Sequence, residues 1–259
     1  LPGSKRKHSR VLTVPNYRAN GPNPDDPSHF SSPCVVWNAK EKLWFMYFHY
    51  FNHFHGAWTA DAKSPGEGWQ MTALATCADL AKNNWTIWKT PRPSKVSVWD
   101  IVPVLPTTDA TWMKSASSYH AIQRLPTGQW LAFMRGTPTR HPGPTVGFAS
   151  SRDGRNWMNL AGNPLIAPGK PWTKPAREYR PAFIGWLGGK KYLVAWSEHS
   201  GPRVIYSTTT DFETFQRDPR GYAHWPGPDG LVSPWREGNR LYLFAGNQLH
   251  ELALPVRKK

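Results

Sequence analysis

Acidic residues are scarce in this chain. Seventeen Asp and Glu stand against 32 Lys and Arg among 259 residues, a formal surplus of +15 and a pI near 10. Such a surplus points to an anionic partner: nucleic acid, a membrane surface or an acidic polysaccharide. Long hydrophobic runs are lacking as well. No apolar stretch approaches the roughly 20 residues that a membrane-spanning helix needs, and this excludes an integral membrane protein of that kind. Cysteine occurs only as Cys34 and Cys77, which leaves two readings open, one disulfide or two thiols. Cys/His pairs at zinc spacing, a GxxxxGK[ST] loop and a helix-opening GxGxxG are all missing, so zinc-finger and nucleotide-binding readings fall away. Neither a metal nor a cofactor is expected. Charged residues make up only 19%, whereas aromatics reach 14% with 15 Trp. That is too much apolar bulk for a disordered polycation.

What the chain has in quantity is turn chemistry. Its 21 Gly and 26 Pro cluster between short apolar runs, the mark of an all-β fold. Four segments share one pattern of strand, tight polar turn and aromatic-rich strand. Cys34 to Trp37 turns through Asn38 to Lys42 into Leu43 to Phe48. Ala121 turns through Pro126 to Gln129 into Trp130 to Met134. Ala182 to Trp186 turns through Leu187 to Lys190 into Lys191 to Trp196, and Leu231 to Trp235 turns through Glu237 to Asn239 into Leu241 to Phe244. These are hairpins.

A second motif follows three of them: a small polar residue, an Asp and then an aromatic. The copies are Asp79 leading to Trp85, Asp153 to Trp157 and Asp211 to Phe215. Each predicts an Asp-initiated turn between two further strands, with the aromatic packed beneath it. Hairpin, turn and strand make a four-stranded unit recurring about every 50 to 60 residues, which predicts the blades of a single β-propeller. Four blades are visible. Residues 11–256 form the propeller, between a basic arm at 1–10 and a basic tail at 257–259. Val11 to Val14 are expected to close the ring as an outer strand. The chain opens on Leu1 with no apolar signal region, as a mature or trimmed chain would.

The run Glu178-Tyr179-Arg180-Pro181 at the start of the third inner strand, the Gly-Lys turn into Leu193-Val194-Ala195-Trp196-Ser197, and Tyr206 to Phe212 resemble the five-bladed β-propeller glycoside hydrolases, such as families 43, 32 and 117. The resemblance spans about residues 30 to 254. It implies five blades around a central funnel, with an Asp as base or nucleophile, a second Asp that tunes the site and a Glu as acid. Glu178 resembles the acid. Ser32-Pro33 stands where Asp-Pro is usual, with Asp25 and Asp26 just upstream, and Tyr119-His120 stands where the tuning Asp would be. Family 117 recruits a histidine as acid.

Alternating strand direction places the connections into each first strand, and those from second to third strands, on one face. Eight of the ten histidines fall on these connections or at strand ends: His29, His49, His53, His55, His120, His141, His199 and His224. With them fall Glu178, Glu198, Asp229, Arg135, Arg180 and the indoles of Trp99, Trp112, Trp172 and Trp225. Indoles stack on sugar faces and guanidinium forks pair with carboxylates or sulfates. Trp37, Trp44, Trp130, Trp186 and Trp196 sit at strand positions and are expected in the core.

The leading expectation is therefore a glycoside hydrolase acting on an oligosaccharide or polysaccharide, acidic or sulfated. Glu178 is the proton donor, with Asp26, Asp229 or His120 as base. His29, Tyr119, Arg180, Glu198, His199, Trp112 and Arg135 bind substrate. Such an enzyme is expected to be secreted or periplasmic. A polysaccharide lyase using Tyr119 or His120 as base and a non-catalytic propeller lectin are the alternatives. A lectin would repeat one site in each blade, whereas Asp26/His29, Tyr119/His120, Glu178/Arg180 and Asp229 are not copies of one another. Nucleic-acid binding is disfavoured because the basic residues form no recognisable motif. Moreover, seven of the fifteen surplus positive charges lie in the two terminal arms.

Overall fold

A computed structural model describes residues 30–52, 69–88, 104–105, 116–125, 127–137, 145–167, 169–171, 173, 179–198, 203–224, 232–237, 240–245 and 248–253. Every regular element among them is a β-strand. The first unit comprises β1 (Phe30–Asn38), β2 (Leu43–Asn52), β3 (Trp69–Cys77) and β4 (Thr86–Ile87). The second comprises β5 (Ala116–Arg124), β6 (Trp130–Thr137), β7 (Thr145–Ser151) and β8 (Trp157–Asn159). The third comprises β9 (Tyr179–Gly188), β10 (Lys191–Glu198), β11 (Arg203–Thr209) and β12 (Gln216–His224). The last comprises β13 (Val232–Glu237), β14 (Arg240–Ala245) and β15 (Gln248–Ala253). Each unit is an antiparallel meander in chain order, and a single parallel bridge, Gln70 to Ala116, joins the first two. The first strands β1, β5, β9 and β13 neighbour one another in sequence, the arrangement that inner strands have around a propeller axis. The stretch Val11 to Val14 lies outside the described residues.

The strands of all four predicted hairpins pair in antiparallel register, and the Asp turns form as well. Ser151 Oγ donates to Asp153 Oδ1 at 2.9 Å and accepts from Gly154 N, while Asp153 Oδ1 accepts from the backbone of Arg155 and Asn156. Thr209 and Asp211 repeat this with Phe212, Glu213 and Thr214. Burial opposes ionisation of Asp153, but these hydrogen bonds, together with the Asn156 side chain, prevail and hold its carboxyl at about 2. The turns fasten one unit to the next. Phe212 and Phe215 pack on Phe148 with ring centroids 5.1 and 5.9 Å apart. Tyr47 of β2 donates its hydroxyl to the Gly154 carbonyl at 2.7 Å, and Arg155 forks onto Glu41 at 2.5 and 2.7 Å.

Two apolar clusters fill the interfaces. Phe45, Tyr47, Leu74, Ile122, Trp130 and Met134 belong to the one between the first two units, and Phe133, Phe148, Ile184, Val194, Trp196 and Phe215 to the one between the second and third. Trp130 and Trp196 are buried as expected. Trp37 differs: it is 39% exposed, because β1 turns Val35 and Trp37 away from the face that meets β5. Cys34 and Cys77 are both thiols. Cys34 Sγ donates to the Ile122 carbonyl and accepts from its N–H, tying β1 to β5, and burial pushes the thiol up to about 11.

Candidate functional site

Three of the four inner strands carry the same irregularity near their N-terminal ends. Between Ser31↔His49 and Cys34↔Tyr47, β1 advances three residues while β2 advances two. Between Ser118↔Arg135 and Ala121↔Phe133, β5 does the same against β6. Between Pro181↔Trp196 and Phe183↔Ala195, β9 gains one residue on β10. Each is a β-bulge, which bends its strand and re-aims the side chains within it. The residues at the bulges are Ser32-Pro33, Tyr119-His120 and Ala182; Ser32 takes a φ of 52°. β13 pairs with β14 without a break.

The bulge in β5 presents His120 to the first unit. The imidazole is buried, with Nδ1 3.3 Å from Thr72 Oγ1 on β3 and its ring edge-on to Tyr47 at 6.4 Å. Thr72 stands opposite His49 across β2 and β3, and both are buried. On the same strands Tyr47, Leu74 and Ile122, two residues along, belong to the apolar cluster. His49, Thr72 and His120 therefore form a polar layer capping that cluster at the end where the bulges lie. Burial lowers His120 to about 4, opposed by the nearby Tyr47 carbonyl, so the ring is neutral at pH 7. Its Nε2 is buried without a hydrogen-bond partner.

Two arginines stand at the same end of the second and third units. Arg135 on β6 stands opposite Ser118 and Arg180 on β9 opposite Ser197, and both are half-buried. Tyr179, fully buried, pairs with Glu198. Among the described residues no group of three or more His, Cys, Asp or Glu is arranged to hold a metal.

The candidates named from sequence divide accordingly. His120 and Arg135 lie at the bulged end of the second unit and Arg180 at that of the third. Tyr119 and Glu198 occupy backbone positions in β5 and β10 at the same end. Asp26, His29, Trp112, Glu178, His199 and Asp229 lie outside the described residues, as do His53, His55, His141, Trp99, Trp172 and Trp225. His49 and Arg135 sit within strands that run three and two residues further, rather than on connecting loops. Gln216 to His224 forms β12 despite Pro219 and Gly221, because residues 218–221 bulge out between Ile205↔Tyr222 and Ser207↔Arg217. Thr72 escaped sequence reasoning: a threonine in Trp69 to Cys77 reads as an ordinary strand residue, and only the packing of β3 on β5 sets it beside a histidine.

At the level of sequence, no protein family and no curated protein matches the chain. Structure matches where sequence does not. A family 117 glycoside hydrolase from Zobellia galactanivorans superposes with a TM-score of 0.53 at 13% identity, covering 86% of this chain and 65% of that one. Fructan 1-exohydrolase IIa from Cichorium intybus gives 0.55 at 15%, with 87% and 42% covered. A glycosyl hydrolase from Bacteroides ovatus gives 0.53 at 11%, with 82% and 58% covered. The chain thus spans between two fifths and two thirds of these proteins' lengths. It has the all-β propeller fold of the propeller-type glycoside hydrolases.

Proposed function

We propose that the protein hydrolyses a glycosidic bond in an acidic or sulfated glycan, at the end of the propeller where β1, β5 and β9 bulge. The observation that carries this reading is the coincidence of the β1 and β5 bulges with two positions where the sequence resembles a glycosidase site, Ser32-Pro33 and Tyr119-His120, on a fold shared with solved glycoside hydrolases. Glycosidases need two carboxyl groups flanking the scissile bond. Glu178, one residue before β9, donates its proton to the leaving oxygen. Asp26 or Asp229 is the partner carboxylate that activates water or attacks the anomeric carbon. Arg135 and Arg180 supply guanidinium forks for carboxylate or sulfate groups of the substrate. The bulge residues differ from unit to unit, which favours one asymmetric site over the repeated sites of a lectin. A secreted or periplasmic location fits a polymeric substrate.

A Glu178→Gln variant, assayed beside the parent on a panel of acidic polysaccharides, tests the reading. Reducing ends released by the parent are expected to fall at least about 100-fold in the variant, the size of a general-acid contribution. Unchanged release would remove Glu178 as acid. Product absorbing in the ultraviolet, the sign of a new carbon–carbon double bond, would instead assign elimination with Tyr119 or His120 as base.

A further inference from the structure

We propose that Thr72 is a positioning residue for His120: its hydroxyl accepts the Nδ1–H of the imidazole, fixing the tautomer in which Nε2 carries a bare lone pair for a hydroxyl of the bound glycan. The first part rests on geometry alone. Thr72 Oγ1 and His120 Nδ1 lie 3.3 Å apart, one on β3 of the first unit and one in the bulge of β5. Either atom could donate, and the choice decides what Nε2 is.

Burial makes the choice. Nε2 has no partner in the protein, and a buried N–H without an acceptor is a rarer and costlier defect than an acceptor without a donor. A proton on Nδ1 finds Thr72 Oγ1; a proton on Nε2 would make no hydrogen bond, the Tyr47 carbonyl lying near the ring but not partnering that nitrogen. The Nδ1–H tautomer is therefore the one the surroundings satisfy. The Tyr47 ring, edge-on at 6.4 Å, and the β5 bulge hold the imidazole plane, so that fixing the tautomer also fixes the direction of the lone pair. That a glycan hydroxyl is what reaches Nε2 rests on the function proposed above.

The test is nitrogen NMR of protein labelled with 15N-histidine, with the His120 signals assigned by their loss in His120→Gln. The parent is expected to show a protonated, pyrrole-type Nδ1 and a pyridine-type Nε2 at pH 7. Thr72→Val, which keeps the shape and removes the acceptor, is expected to shift the ring toward the Nε2–H form, and Thr72→Ser to restore the parent pattern. A pyrrole-type Nε2 in the parent would overturn the assignment without recourse to any variant, as would an unchanged pattern in Thr72→Val. On a glycan the parent cleaves, Thr72→Val is expected to lower kcat about ten-fold or more, with rescue by Thr72→Ser; equal kcat in all three would overturn the positioning role. Expected NMR patterns with no cleavage of any glycan would sink the hydrolase reading and leave the tautomer assignment standing.

Discussion

At the scale of single residues, His120 shows how position in the fold changes a group's chemistry. An imidazole ordinarily titrates near 6.5, and this one is held to about 4. The unfolded chain therefore takes up its proton first as the pH falls. The stability that follows from keeping the ring neutral is complete above pH 6.5 and is lost progressively between 6.5 and 4. Urea unfolding at pH 4.5 is expected to show a contribution about 2 to 3 kcal/mol lower than at pH 7 from this group. His120→Gln should flatten that slope, and the same slope in the variant would remove His120 as its source. The sequence placed His120 at the end proposed for function but did not disclose its protonation state. Desolvation comes from Tyr47, Thr72 and the strands around them, which converge only when the first two units pack. Trp37 is the converse case. Its strand pattern reads as core, yet the face it occupies is not the one that meets β5.

Elements were the most legible level, and the reason is local. A turn such as Glu237-Gly238-Asn239, or an Asp accepting hydrogen bonds from the next few N–H groups, is decided by residues close in sequence. Hence the hairpins and all three Asp turns could be read directly. The bulges could not. A bulge is a one-residue mismatch between two strands, and neither strand alone contains it; Ser32-Pro33 and Tyr119-His120 stood out only because they broke a familiar pattern. The same reasoning explains β12, where Pro219 and Gly221 imitate a loop while the flanking residues pair with β11. The Asp153 turn offers a direct check of how such elements join units. Gly154 has a φ of +76°, and a Cβ there would stand 2.7 Å from Tyr47 Oη and 3.2 Å from the Trp130 ring. Gly154→Ala is expected to cost roughly 2 kcal/mol or more, from the left-handed backbone and the lost Tyr47 hydrogen bond together. Arg152→Ala, exposed in the same turn, is expected to fall within about 0.5 kcal/mol of the parent. Equal denaturation midpoints for the two variants would refute the role assigned to the glycine.

For the molecule as a whole, the surplus of positive charge and the propeller fold bear on the same question. Seven of the fifteen surplus charges belong to the terminal arms, so the remaining eight are what the rest of the chain offers the anionic glycan proposed above. Screening separates attraction by overall charge from pairing at a site, because exposed charges lose their reach beyond about 10 Å at 0.1 M salt. Affinity for a sulfated polysaccharide is expected to fall with added salt yet keep a component that Arg180→Gln removes. Binding that vanishes with salt and ignores Arg180 would assign recognition to diffuse charge. The bulges add a last point at this scale. In β1, β5 and β9 the ladder that holds the unit together runs on from the bulge toward the hairpin, whereas the residues assigned to chemistry lie at the bulge or before it. One inserted residue therefore divides each inner strand into a part that answers to packing and a part that answers to ligand. Substitutions accumulating on one side leave the other in register, and a propeller so divided can change what it binds without relearning how to fold.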